Sequence, residues 1–101
     1  MKNSQVAEIF INSDKEAKTE HLFIEGRVIY SYGYHFPIAL KLNNNIFIFN
    51  SDRYSNSTAK HKGYCKRAIG SFKIIEMNTA RIKDLISQDI KDINEVIFDK
   101  L

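Results

Sequence analysis

The chain contains few of the residues that often identify the structural class of a small protein: its 101 residues include one cysteine, one proline, four glycines and no tryptophan. The single cysteine, Cys65, cannot form a disulfide within the chain, which favours a reducing compartment. Residues 46–49 form the longest apolar run, far short of the roughly 20 residues of a membrane-spanning helix. The first residues, MKNSQVAEIF, lack the apolar core of a signal peptide. These absences predict a cytoplasmic protein with no membrane partner.

Motifs that carry chemistry are also missing. The chain has no glycine-rich phosphate loop, no paired-carboxylate motif and no serine elbow. Its three histidines, His21, His35 and His61, are far apart and have no cysteine or carboxylate partner at metal-ligand spacing. We therefore predict no metal, no cofactor and no enzyme of a known motif class.

Length and composition predict one folded domain over residues 1–101. Apolar residues make up 44% of the chain and include seven Phe and five Tyr. A chain of this size can bury one modest core but is too short for two domains.

The spacing of apolar residues predicts the order α-β-β-β-β-α-β-α. Gly26 and the three asparagines at 43–45 suit the turns of two hairpins, and Gly70 suits the end of a helix. The predicted elements are a helix over 4–11, strands over 22–24, 27–32, 36–42 and 46–49, a helix over 58–69, a strand over 72–77 and a helix capped by Asn78.

These elements predict an α+β fold, with a small, mainly antiparallel sheet of about four to five strands and two or three helices packed over one face. In the third strand, Phe36, Ile38, Leu40 and Leu42 are expected on one side of the sheet because they alternate with other residues. The stripe of Ile90, Ile93 and Ile97 could close this core or contact a partner.

Charge is unevenly distributed along the chain. Residues 27–83 contain ten bases and two acids, Asp52 and Glu76, a net charge of +8 within a chain whose total is +3. A helix over 58–69 would place apolar side chains on one face and bases on the other. Such a surface attracts nucleic-acid phosphates or acidic protein surfaces. The predicted contact residues are Arg53, Lys60, Lys62, Lys66, Arg67 and Lys73.

Tyr34 and His35 precede the only proline in an apparent loop. We expect these two side chains to add contacts beside the basic helix, since exposed rings can stack on bases. The other aromatic residues are expected mainly in the core.

His61 lies near the middle of the apolar arc of the helix over 58–69, where a histidine is usually packed with its ring nitrogens hydrogen-bonded. Cys65 on the same arc is expected in the core. The alternative is that His61 acts with Tyr54 as a catalytic pair, which requires His61 to be accessible in a cleft.

Two segments, IYSYGYHFPIA at 29–39 and DRYSNSTAKH at 52–61, resemble a family of small bacteriophage and mobile-element proteins with the pattern YSY…PIA followed by RYS…T…H. The family has no assigned biochemical activity. The resemblance implies a compact phage-type accessory protein in which Tyr54, Ser55, Thr58 and His61 recur together. We expect these four residues to form one hydrogen-bonded group, with Thr58 bonded to His61, at the start of the basic helix.

The leading hypothesis is a non-catalytic phage-type binding protein, in the host cytoplasm, for nucleic acid or a host nucleoprotein complex. An anti-defence inhibitor of the anti-CRISPR kind fits this description. The alternatives are a small nuclease-like enzyme using His61 and Tyr54, and an oligomerising module whose partner is a second copy of the chain.

Overall fold

The computed structural model describes residues 1–96, which form a five-stranded sheet with α-helices on both faces. Ile97, part of the predicted C-terminal stripe, lies outside the described residues. The elements are α1 (Asn3–Asn12), β1 (Leu22–Glu25), β2 (Val28–Ser31), β3 (Pro37–Leu42), β4 (Ile46–Asn50), α2 (Asn56–Ile69), β5 (Lys73–Met77) and α3 (Thr79–Ser87), with short 3-10 turns at Asn43–Asn45 and Ile93–Glu95.

The helix boundaries follow from local chemistry. Ser55 caps α2 by accepting a hydrogen bond from the Thr58 amide, and Asn78 caps α3 by accepting one from the Arg81 amide. Gly70 ends α2 with φ of 60°, a conformation that glycine adopts without the strain a Cβ would cause. The predicted helix ends are therefore close to the observed ones.

The strands lie in the order β1-β2-β3-β4-β5. The first four form an antiparallel meander, and β5 pairs with β4 in parallel because α2 carries the chain back to the level at which β4 begins. The predicted element order, the α+β class and the mainly antiparallel sheet are confirmed.

One extra residue in β3 changes which side chains share a face. Ile29 pairs with Ala39, but Tyr30 pairs with Pro37, so the register shifts and Ile38 is the additional residue. Ile38 then packs beneath α1 and α2, whereas Leu40 packs beneath α3. The prediction that Phe36, Ile38, Leu40 and Leu42 share one side is therefore wrong.

The apolar residues form two cores, one on each face of the sheet. α1 and α2 cover the first, where Phe10 packs against Phe47. α3 covers the second together with Ile90 and Val96, and Ile93 packs at its margin. The prediction of helices over a single face is wrong, because α3 follows β5 directly and folds onto the opposite face. The described part of the C-terminal stripe thus closes the protein's own core.

Lys41 anchors the end of α1 to β3. Its ammonium group donates to the carbonyl oxygens of Phe10, Ile11 and Ser13 at distances of 3.3, 3.1 and 3.3 Å. The last carbonyls of a helix have no partner within the helix and carry its negative dipole end, so a cation is well placed there.

None of the helices within residues 1–96 has the length and apolar character needed to cross a membrane.

Candidate functional site

α2 presents three different stripes along its length. The buried stripe, as the helical spacing predicts, places His61 and Cys65 against the sheet, while Tyr64 and Ala68 are half-buried beside it. Lys60 and Arg67, seven residues apart, lie on the outward stripe and are exposed. The third stripe, formed by Ala59, Lys62, Gly63 and Lys66, borders a cleft.

The cleft has a volume of about 590 Å³ and lies between α2 and the end of β4. It sits where the chain leaves β4 and turns into α2, at the carboxyl end of two parallel strands, a common location for binding sites. Its other lining residues are Phe49, Asn50, Ser51, Arg53, Tyr54, Ser55, Asn56 and Glu76.

Two ammonium groups lie over one ring of the cleft wall. The Nζ atoms of Lys62 and Lys66 are 5.6 and 5.5 Å from the centre of the Phe49 ring. Lys62 also donates to the backbone carbonyl of Asp52 at 2.8 Å. Partial burial lowers the pKa of Lys62, and the nearby Glu76 carboxylate opposes that shift. Lys62 therefore has a structural role, whereas Lys66 remains exposed.

The six bases predicted for partner binding, which are Arg53, Lys60, Lys62, Lys66, Arg67 and Lys73, form no ion pair within the described residues, although the Glu76 carboxylate influences the pKa of Lys62. Among residues 1–96, no carboxylate oxygen lies within 4.0 Å of the side-chain nitrogens of these six residues. Arg53, Lys60, Lys66 and Arg67 are also exposed, and the Arg67 guanidinium lies 5.3 Å from the centre of the Tyr64 ring. The surface of α2 is thus an open positive patch.

Tyr54 is an exposed ring held in a fixed position. Its side chain is 58% exposed, yet its ring stacks on buried Phe36 with centres 5.5 Å apart and planes 30° apart. Its hydroxyl lies 3.1 Å from His35 Nε2. His35 therefore lies against Tyr54, but it is not one of the residues that line the cleft. The sequence pattern predicts Tyr54 in a structural group and contains no signal for this orientation of its ring.

The other two predicted contact residues lie elsewhere. Tyr34 is exposed, but its ring packs edge-on against Phe23 and Tyr30, and its hydroxyl donates to Glu25 at 2.6 Å. That bond raises the pKa of Tyr34. Lys73 begins β5, at the opposite end of the strand from Glu76. The structure does not bring either residue into the cleft.

His61 belongs to a buried hydrogen-bonded network, although its members differ from those predicted. Ser31 Oγ lies 2.7 Å from His61 Nδ1 and 3.0 Å from Thr58 Oγ1, and Ser55 donates to Thr58 at 3.1 Å. The predicted direct bond between Thr58 and His61 is wrong, because Ser31 of β2 bridges them. Tyr54 lies outside this network.

The second ring nitrogen of His61 faces α1. Its Nε2 lies 3.4 Å from Asn3 Nδ2, and the Tyr32 ring is 5.4 Å from the imidazole, centre to centre. His61 is only 4% exposed, and this burial lowers its pKa, with a smaller contribution from the charge of His21. His61 is thus a neutral residue at neutral pH and joins α1, β2 and α2.

Cys65 is also buried on α2. Burial raises the pKa of its thiol to about 12, so the nucleophilic thiolate form is scarce at neutral pH. No three or more His, Cys, Asp or Glu side chains within the described residues are placed to hold a metal ion.

Comparison of the chain with models of protein families, with curated proteins and with solved structures finds no match. The resemblance to the phage protein family therefore stays a prediction.

Proposed function

We propose that this protein binds nucleic acid through the positive surface of α2, without catalysing a reaction on it. The observation that carries this proposal is the open positive patch of Arg53, Lys60, Lys66 and Arg67, which has no acidic partner among the described residues. A surface helix usually carries acids at i+3 or i+4 that pair with its bases, and α2 has none. Phosphate groups are the complementary partner.

The catalytic alternative receives less support from the geometry. It requires an accessible His61 beside Tyr54, but His61 is buried in the network with Ser31, and Tyr54 bonds His35 instead. A general base must reach its substrate by hydrogen bonding, directly or through one water molecule. The buried position of His61 is consistent with a role in holding α2 in place.

The proposal is tested by measuring the affinity for labelled duplex and single-stranded oligonucleotides over a salt series. The informative variant is Lys60→Ala/Lys66→Ala/Arg67→Ala, which removes three exposed charges and leaves the structural Lys62 in place. The matched control, Lys15→Ala/Lys18→Ala/Lys83→Ala, removes three exposed charges elsewhere.

We expect log K for the native chain to fall linearly with log salt. The slope should shrink by about 2–3 in the α2 variant and by less than about 1 in the control, because each phosphate contact releases about 0.7–0.9 counterion. Equal losses in both variants would mean that only net charge matters. No binding to either oligonucleotide would overturn the proposal and redirect the search to acidic surfaces of host nucleoprotein complexes, including defence complexes of the kind that a phage inhibitor would meet.

A further inference from the structure

The cleft beside α2 combines the features of a nucleotide site. Its volume of about 590 Å³ lies within the range of pockets that hold small ligands. An aromatic ring, Tyr54, and two exposed cations, Arg53 and Lys66, line the same cavity. We propose that this cleft binds one unpaired nucleotide of a single-stranded nucleic acid, with the base stacked on Tyr54 and the phosphate held by Arg53 and Lys66. This inference rests on the proposed nucleic-acid binding.

Tyr54 has the geometry of a stacking platform. Phe36 supports its ring from the buried side, and the contact of its hydroxyl with His35 limits rotation of the side chain. Because these two contacts already restrict the ring, a base that stacks on it should cost little further side-chain entropy. Stacking on an aromatic ring accepts any base, since every base has a π face.

Arg53 and Lys66 are the cations best placed for the phosphate. Lys62 lines the same cavity, but its ammonium group already donates to Asp52 and lies close enough to Glu76 for the carboxylate to shift its pKa. Glu76 would repel a phosphate in the cleft. The phosphate is therefore assigned to Arg53 and Lys66, whose side chains are exposed, and Glu76, which also lines the cleft, would weaken its binding.

An unpaired base is required for this arrangement. In a duplex both faces of each base are covered by its neighbours, so a ring on the protein surface can stack only on a base that has left the helix. Lys60 and Arg67, on the outward stripe of α2, can contact the phosphates of either a single strand or a duplex. The cleft should therefore add affinity for single strands, while Lys60 and Arg67 contribute to both.

The test compares single-stranded DNA, single-stranded RNA and duplex DNA of equal length at one salt concentration. Tyr54→Leu removes the aromatic face, and Tyr54→Phe keeps it while removing the hydroxyl. Thermal unfolding checks that each variant is folded. We expect Tyr54→Leu to weaken single-strand binding by about 5- to 150-fold, the range of base–aromatic stacking, and to leave duplex binding nearly unchanged. Tyr54→Phe should stay within about threefold of the native chain.

A charge variant tests the position of the phosphate. Glu76→Gln removes the acid of the cleft and should strengthen single-strand binding by about 1.5- to 5-fold, the scale of one surface charge interaction. Asp14→Asn is the control, because Asp14 is exposed near Lys41 at the far end of β3. An equal gain in both variants would overturn the proposed phosphate position.

The outcomes separate this inference from the proposed function. Binding that is equal for single strands and duplex and insensitive to Tyr54→Leu would overturn the cleft as a nucleotide site while leaving nucleic-acid binding by α2 intact. An absence of binding to all three oligonucleotides would overturn both. A preference for single-stranded RNA over DNA would support the site and indicate that the 2′-hydroxyl is also contacted.

Discussion

Ser31 is the residue that unites the network around His61. Its hydroxyl contacts both the His61 ring and the Thr58 hydroxyl, and the residue is fully buried on β2. Every buried side-chain nitrogen and oxygen within residues 1–96 has a hydrogen-bond partner. Removing the Ser31 hydroxyl would take away a hydrogen-bond partner from this buried network. A buried polar group without a partner costs free energy, because it has lost its hydrogen bonds to water without replacing them.

We therefore expect Ser31→Ala to lower the free energy of unfolding by about 1–3 kcal/mol, as measured by urea denaturation. Ser57→Ala is the matched control, because Ser57 is exposed on α2, and its effect should stay within about 0.5 kcal/mol. A Ser31→Ala protein as stable as the control would show that the network contributes no net stability.

His61 should make stability depend on pH in a defined direction. Burial lowers the pKa of His61 in the folded state below its ordinary value of 6.5. As the pH falls through 6.5, the unfolded chain binds a proton that the folded protein resists, so folding becomes less favourable. The contribution of neutral His61 to the free energy of unfolding is fully present above about pH 7. It is lost progressively as the pH falls toward the pKa of His61 in the folded state.

The measurement is the free energy of unfolding of the native chain and of His61→Gln at pH 7.5, 6.5 and 5.5. The glutamine side chain keeps hydrogen-bonding groups and does not titrate. The native chain should lose more stability than the variant over this interval, which lies above the ordinary range of carboxylate titration. Parallel curves for the two proteins would contradict a buried neutral His61.

Lys41 controls how α1 docks on the sheet. Its ammonium group bonds the last carbonyls of α1, and only 18% of its side chain is exposed. Lys41→Met keeps an unbranched stem of similar length and removes the ammonium group. The free energy of unfolding should fall by about 1–3 kcal/mol, since hydrogen bonds to charged groups are stronger than neutral ones. Lys15→Met is the control on an exposed lysine nearby, and equal stability of the two variants would contradict this role.

Local patterns predict most of the elements, because caps, turns and apolar spacing act over a few residues. Gly70 and Asn78 mark helix boundaries in the sequence, and they do so in the structure. The extra residue at Ile38 could not be predicted, because the alternation of apolar residues in β3 looks the same with or without a bulge. The bulge is defined only by the pairing of β3 with β2. The position of α3 on the second face also depends on long-range packing.

The candidate site was predictable only in part, for the same reason. The basic stripe of α2 follows from helical spacing, but Ser31 reaches His61 across thirty positions of sequence. No local signal marks such a contact. Tyr54 becomes a platform only because Phe36 and His35, from the loop before β3, lie behind it.

At the scale of the whole molecule, positive charge is concentrated on α2, on one face of the sheet, and not on the opposite face. α2, on one face, has four bases and no acid, a net charge of +4. Residues 79–96, on and after α3, contain three bases and four acids, a net charge of −1. This asymmetry would orient the α2 face toward a polyanion during approach, an effect that salt screens over about 8–10 Å.

The same asymmetry raises the question of whether one copy binds the α2 face of another. We expect a monomer of 11.7 kDa at both 50 mM and 500 mM salt, as measured by light scattering after gel filtration. A surface with a net charge of −1 offers few partners to α2, and each exposed ion pair contributes only about 0–1 kcal/mol. A larger mass in low salt that disappears in high salt and in the Lys60→Ala/Lys66→Ala/Arg67→Ala variant would instead assign α2 to self-association. In that case nucleic acid would have to compete with a second copy for the same surface.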